Sequence, residues 1–304
     1  MIKINYEKRW DNLRSSLGEK DAFVAALPGN TRYLANSESP PGTPPSSTMN
    51  YVVIPKKGEP IAITSSLEEH RCRHESSVND IRCWTTYPDI KSDGKSALEI
   101  LKSSLKEIKA KQIFADTKVS LGRSFKSSVS SNLNELRSIK SEAELERIKK
   151  AIKQSDDGQR FAYNLVESGE GLSEKEVRSE IDYFMARKGI QENSFSTIIA
   201  SGPNSAHSHH SNTDRKLKVG DPVICDFGVF WDGYCSDITR TYFVGGSPSD
   251  EWRKIYDIVM EANKRSTNAM VEGTTGHLVD KAGRDFIRKN GYGSNFVHGT
   301  GHGF

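Results

Sequence analysis

The segment from Asp221 to Val244 constrains this chain more than any other. Two runs of β-forming residues, Asp221–Val229 and Tyr234–Val244, flank Trp231-Asp232-Gly233. Asp-Gly between such runs is a hairpin signal, because both central residues of the favoured two-residue turn take positive φ. Asp226 stands in the first run and Asp237 in the second. With Asp232-Gly233 at the turn centre, Asp226 pairs with Thr239 and Asp237 is its diagonal neighbour. With the loop one residue earlier, Asp226 faces Asp237 directly. Either register puts both carboxylates on one face, since side chains alternate with period two. Like charges held together are costly to bury without a counter-charge. A divalent cation resolves that cost, and two cations ~3.5–4 Å apart let one carboxylate bridge both. Aspartates on an antiparallel sheet can also simply face solvent. By the same alternation Cys225 and Cys235 point to opposite faces, which argues against a disulfide between them.

Histidines supply the second clue. They gather in His207-Ser208-His209-His210, just after Gly202-Pro203-Asn204, and in His298-Gly299-Thr300-Gly301-His302-Gly303. Glycines around the second cluster allow close approach of backbone and ligand. A lone histidine is usually structural, but two clusters beside a two-aspartate hairpin favour a site. Imidazole and carboxylate donors suit Mn, Co, Zn or Fe.

A chain of 304 residues exceeds one ordinary core and fits two domains. Residues 1–134 read as a small α/β domain. Asp21–Leu27 is an apolar run that ends in a turn at Pro28-Gly29-Asn30, and Tyr51–Pro55 with Ile61–Ile63 reads as a hairpin. Segment 37–47 holds four prolines and is expected as a loop. Ala97–Ile108 has the spacing of a helix. Residues 135–304 form the second domain. Ser141–Glu144 and Ser173–Glu176 are capping boxes opening helices, the latter with Val177, Ile181, Phe184 and Met185 on its apolar face and Gly189 at its end. Ser194–Ser201 reads as a strand. Further helices are expected over Trp252–Met270 and Leu278–Lys289. Helices alternating with an antiparallel meander give an α+β class.

Composition removes several function classes. The net charge is +3, too small to imply nucleic acid. No stretch approaches the ~18 apolar residues of a membrane span. The first residues lack an apolar secretory core, so cytoplasm is the expected compartment. Cys72, Cys83, Cys225 and Cys235 form no CxxC pair, which excludes zinc ribbons and leaves buried thiols as the expectation.

These segments resemble the metallopeptidase superfamily of methionine aminopeptidase, prolidase and aminopeptidase P. The motifs are Asp226-Phe227-Gly228, Ser236-Asp237-Ile238-Thr239-Arg240-Thr241 eleven residues on, and Gly301-His302-Gly303. Ser201-Gly202-Pro203-Asn204-Ser205-Ala206-His207-Ser208-His209 and Leu136-Arg137-Ser138-Ile139-Lys140-Ser141-Glu142 resemble the prolidase and aminopeptidase P branch. The resemblance implies a creatinase-type N-terminal domain followed by a pita-bread catalytic domain. It implies Asp226, Asp237 and His302 as ligands of two divalent metal ions, His209 and His298 as catalytic residues, and Arg240 and Thr239 as residues that orient the ligands. The implied activity is hydrolysis of Xaa-Pro bonds in dipeptides or short peptides, by a homodimer, on a peptide with proline at its second position. The family's two glutamate ligands fall beyond Phe304. A fragment of a longer enzyme, or a shortened relative that binds protein or peptide, both accommodate that. A creatinase-like amidinohydrolase shares the layout, but the aspartate ligands speak against it. The 304-residue form by itself is expected to bind metal weakly and to lack activity.

Overall fold

A computed structural model describes residues 1–36, 49–190 and 192–302. The proline-rich segment 37–47 lies outside them, as does Gly303 of the glycine-histidine motif. The chain divides into two compact units, Met1–Ala151 with Phe230–Ser236, and Ile152–Val229 with Asp237–Phe304. The sequence reading divides the chain after residue 134, whereas the compact units part inside the long helix Glu142–Glu167.

In the first unit the elements are α1 (Tyr6–Ser15), β1 (Asp21–Ala25), α2 (Pro28–Ala35), β2 (Tyr51–Pro55), β3 (Ile61–Ser65), α3 (Glu69–Glu75), β4 (Asp80–Trp84), α4 (Ala97–Glu107), β5 (Gln112–Ala115), β6 (Lys126–Val129) and α5 (Asn132–Ser138). The strands form one mixed sheet in the order β4-β3-β2-β1-β5-β6. β2 is antiparallel to β1 and β3, while β1–β5, β5–β6 and β3–β4 are parallel. Alternation divides the apolar side chains between two cores. Phe23, Ala25, Val52 and Ile54 meet Trp10, Leu13 and Leu34 on one side. Ala22, Val24, Val53 and Ile63 meet Ile100, Leu101 and Leu105 on the other. Covered on both faces, the central strands read as continuous apolar runs. Each fully buried aliphatic or aromatic side chain contributes about 1.5–3 kcal/mol.

α6 (Glu142–Glu167) leads into the second unit, with α7 (Glu174–Arg187), β7 (Glu192–Asn193), β8 (Ile198–Ser201), β9 (Pro222–Phe227), β10 (Val229–Trp231), β11 (Tyr234–Cys235), β12 (Ile238–Phe243), α8 (Asp250–Asn268) and α9 (Gly276–Lys289). α7 opens in the reciprocal capping box of Ser173 and Glu176 and buries Val177, Ile181 and Met185. Phe184 is half-buried and stacks on Phe161 with centroids 4.4 Å apart. Ile258, Ala262 and Ile287 pack α8 on α9.

The hairpin turn lies at Asp232 and Gly233, with φ of 44° and 85°. Phe230 pairs with Cys235 and Trp231 with Tyr234. This tip belongs to the first unit, where Arg147 Nε contacts Asp232 Oδ2 at 2.7 Å. The expected strands 221–229 and 234–244 are each interrupted, at Gly228 and at Ser236-Asp237. The Gly228 carbonyl accepts the Ser194 N–H at 3.0 Å, which diverts it from the ladder. Asp237 therefore precedes β12 instead of lying within it. All four cysteines are free. Among the described residues no helix is long and apolar enough to cross a membrane.

Candidate active site

β9 is the central strand of the sheet β12-β9-β8. Its buried residues Val223, Cys225 and Phe227 alternate with half-buried Ile224 and Asp226. Gln159 on α6 ties the sheet from behind, donating to the Cys225 carbonyl at 3.1 Å and to the Ile238 carbonyl at 2.7 Å. Asp226 pairs with Ile198 on one side and Thr239 on the other. This is the first of the two registers read from the sequence, so Asp237, two residues before Thr239, is the diagonal neighbour of Asp226 on the same face.

Thr239 Oγ1 donates to Asp226 Oδ1 at 2.7 Å. Burial still pushes the Asp226 carboxyl above the usual carboxylate range; the Thr239 hydroxyl opposes this, and the adjoining Asp237 charge adds to it. His302 Nε2 stands 3.4 Å from Asp237 Oδ2, with the imidazole 70% exposed. Among the described residues neither aspartate pairs with a lysine or arginine. Two close carboxylates without a cationic partner, beside an imidazole, are the donor types that a divalent metal takes. By chemistry this donor set fits such an ion, although among the described residues no three His, Cys, Asp or Glu side chains converge on a single metal position.

The other residues named from the sequence differ in their surroundings. His209 is exposed, and a positive charge on it would draw the Asp226 carboxyl down. His298 is exposed, with its ring edge-on to Phe296 at 4.8 Å and Nδ1 against the Gly299 carbonyl at 2.8 Å. Arg240 follows Thr239 and so emerges on the α6 face, opposite to Asp226. Its Nη1 donates to the Thr239 carbonyl at 2.9 Å. Thr239 and Asp226 are thus brought together, and Arg240 is not.

Sequence reasoning missed the residues that fix the two histidine segments. Asp280 on α9 accepts the Thr300 amide at 2.9 Å and holds Arg284, whose guanidinium donates to the carbonyls of Phe296 and His298. Arg284 and the Thr300 amide keep the Asp280 carboxyl well below the usual range. Glu174, at the start of α7, does the same for the first segment. Ser201 N–H and Oγ and Asn204 Nδ2 bond its Oε1; His210 Nε2 and Thr213 N–H and Oγ1 bond its Oε2. Burial works against the Glu174 charge, but these donors outweigh it and hold the carboxyl at about 2. Gly202 sits where φ is +52° and the Arg215–Asp221 ion pair fills the space a Cβ would need, so a side chain there is excluded twice. An acidic residue in a first helical turn is so common, for its dipole, that Glu174 does not stand out by spacing; Asp280 lies past the first turn of α9, where no motif marks it.

The sequence model of metallopeptidase family M24 matches residues 146–304, about half of the chain. This chain belongs to metallopeptidase family M24. The M24 region includes every candidate ligand named above. The Xaa-Pro dipeptidase of Pyrococcus furiosus is 41% identical over 171 residues, 56% of this chain and 48% of that protein. The chain spans about half the length of the curated relatives it matches. Among solved structures, the Xaa-Pro dipeptidase of Bacillus anthracis has a TM-score of 0.82 at 30% identity, covering 98% of this chain and 82% of that one. A prolidase of Thermococcus sibiricus gives 0.84 at 30%, covering 99% and 82%. The fold is the pita-bread fold of M24 enzymes, preceded by the mixed-sheet unit that those structures also contain.

Proposed function

We propose that this M24 chain takes part in the metal-dependent hydrolysis of Xaa-Pro bonds at the N-terminus of dipeptides or short peptides, in the cytoplasm and as a homodimer. The observation that carries this reading is the pair Asp226 and Asp237 on one face, fixed by Thr239, approached by His302 and lacking any lysine or arginine partner among the described residues. Asp226, Asp237 and His302 would hold divalent ions such as Mn, Co, Zn or Fe. A bound divalent pair supplies Lewis acidity and a nucleophile from water at neutral pH. The chain's own groups do the rest. Thr239 occupies one lone pair of Asp226 and so leaves the remainder directed outward. His209 would give an N–H to the oxygen of the scissile carbonyl as charge develops there. His298, held by its backbone to Arg284, would hand a proton to the departing proline nitrogen. The orienting role read for Arg240 passes to Thr239, because Arg240 is on the opposite face.

The test is a pair of assays on the purified protein. In a form that also carries the two glutamates implied by the resemblance, dialysis with Mn²⁺ or Co²⁺ followed by hydrolysis of Xaa-Pro and Xaa-Ala dipeptides should give turnover confined to the proline substrates and stopped by a chelator. Equal turnover of the two substrates would remove the proline assignment. Light scattering at micromolar concentration should give twice the chain mass, and a monomer would remove the dimer.

A further inference from the structure

The segment 201–213 carries three histidines within four residues, and the structure treats them differently. His210 is buried, with its side chain 7% exposed and Nε2 2.7 Å from Glu174 Oε2, and Glu174 itself is 0% exposed. The His207 ring lies against that of His210, centroids 6.1 Å apart. His209 is exposed and has neither contact. The segment is closed at its far end by Asn212, whose side chain accepts the Ile199 amide at 2.7 Å and donates to the Thr197 carbonyl at 2.8 Å. These two bonds straddle Ile198, the residue of β8 that pairs with Asp226. Six donors on one carboxylate and two bonds at Asn212 therefore leave the segment a single course across β8. Arg215 extends the network by donating to Ser201 Oγ at 2.8 Å while paired with Asp221.

We propose that Glu174 is a positioning residue for the active site: by taking His210 it selects which histidine of the cluster is presented to the aspartate pair, and that histidine is His209. This rests on the Xaa-Pro hydrolase reading for what His209 then does, but the selection itself is a property of the metal-free chain. Glu174 never meets substrate. His209 and His210 are neighbours in the chain beside the turn Ser208–His209, so a change of backbone direction there would exchange which ring meets Glu174. A carboxylate with all its lone pairs engaged by buried donors resists that exchange.

The metal-free protein, labelled with ¹⁵N-histidine, provides the test. The wild type should give one slowly exchanging imidazole N–H, from His210 Nε2. In Glu174→Gln that signal should vanish, and the Ser201 and Thr213 amides should exchange about 10–100-fold faster, the range expected when a local opening is favoured by one or two powers of ten. The Ile224 and Cys225 amides in β9 should keep their rates. If Glu174→Gln fails to fold, Thr213→Val and Ser201→Ala, each removing one hydroxyl donor, should give the same pattern at smaller amplitude. With substrate, His210→Gln, whose amide N–H still reaches the carboxylate, should restore the turnover that His210→Leu loses. His209→Gln should reduce kcat by about 10²–10³, as loss of a transition-state donor does, without changing amide exchange. Unchanged exchange and an unchanged His210 resonance in Glu174→Gln overturn the proposal, and so does equal loss of kcat in His209→Gln and His210→Gln. A wild type with no Xaa-Pro turnover refutes the hydrolase reading, and the exchange arm still decides this one.

Discussion

Glu174 and Thr239 make the same point at the scale of single residues: a carboxylate in this unit is defined by the hydroxyls and amides that hold it. Glu174 sits at about 2 in the folded chain against an ordinary 4.5. A depressed carboxyl stabilises the fold fully above its unfolded value and loses that contribution as pH falls toward its folded value. Acid titration of stability should therefore be steeper between pH 4.5 and about 2 in the wild type than in Glu174→Gln. At neutral pH that variant should be less stable by about 1–3 kcal/mol for each buried donor left without a partner, read from denaturant midpoints. Thr239→Val removes the hydrogen bond that orients Asp226 and leaves the fold intact. Supporting bonds of this kind are worth about 10–100-fold in metal affinity, and calorimetric titration with Mn²⁺ or Co²⁺ checks it. Gly158 has its own steric reason: a Cβ there would meet Met185 Sδ at 2.5 Å and the Phe227 ring at 2.8 Å. Gly158→Ala should lower stability by about 1–3 kcal/mol through overpacking, and a melting temperature unchanged from wild type would count against this packing.

At the scale of elements, local chemistry was legible and non-local pairing was not. Asp232-Gly233 announced its turn, and the period-two pattern put Asp226 and Asp237 on one face before the register was known. Helices capped by Ser96 and Ser173 begin where the sequence indicates, and α8, expected from Trp252, begins two residues earlier at Asp250 after its cap Ser249. The order β4-β3-β2-β1-β5-β6 was not readable, because the parallel pair β1–β5 joins segments distant in sequence and the central strands, apolar on both faces, carry no marker of their neighbours. Nor was the break at Gly228 and Asp237, which depends on a hydrogen bond from Ser194. Glu144 is read as the capping-box partner of Ser141, which the structure bears out, but its ion pair with Arg9 and the buried network of Glu174 are not legible in the sequence. Gln159 is the comparable case between elements. It joins α6 to β9 and β12 by two carbonyl bonds and also accepts from the Tyr242 hydroxyl. Gln159→Leu should cost about 1–3 kcal/mol, since buried carbonyls lose their donor. It should also weaken metal binding, because Cys225 adjoins Asp226 and Ile238 adjoins Asp237. Retention of wild-type stability would contradict the bridging role.

At the scale of the whole molecule, each unit buries one carboxylate among the described residues, Glu144 in the first and Glu174 in the second. In the first unit Arg9 Nη2 meets Glu144 Oε1 at 3.0 Å, and the Tyr234 hydroxyl donates to the same oxygen at 3.1 Å, so the hairpin tip is held by its tyrosine as well as by Asp232. Both partners of the ion pair are almost fully buried. Breaking such a pair by removing one member costs about 3–5 kcal/mol, so Arg9→Met should depress the melting temperature far more than Tyr234→Phe. In the second unit the corresponding centre is Glu174, which orders the approach to the aspartates. The central claim is that Asp226, Asp237 and His302 form the donor set of this M24 chain. The most direct measurement is the visible absorption of the metal-free protein titrated with Co²⁺. Ligand-field bands should grow with the wild type and be lost in Asp226→Asn and in Asp237→Asn, while Glu19→Gln, at an exposed ion pair with Lys57 in the first unit, keeps them. Bands of wild-type intensity and affinity in both aspartate variants would contradict the assignment.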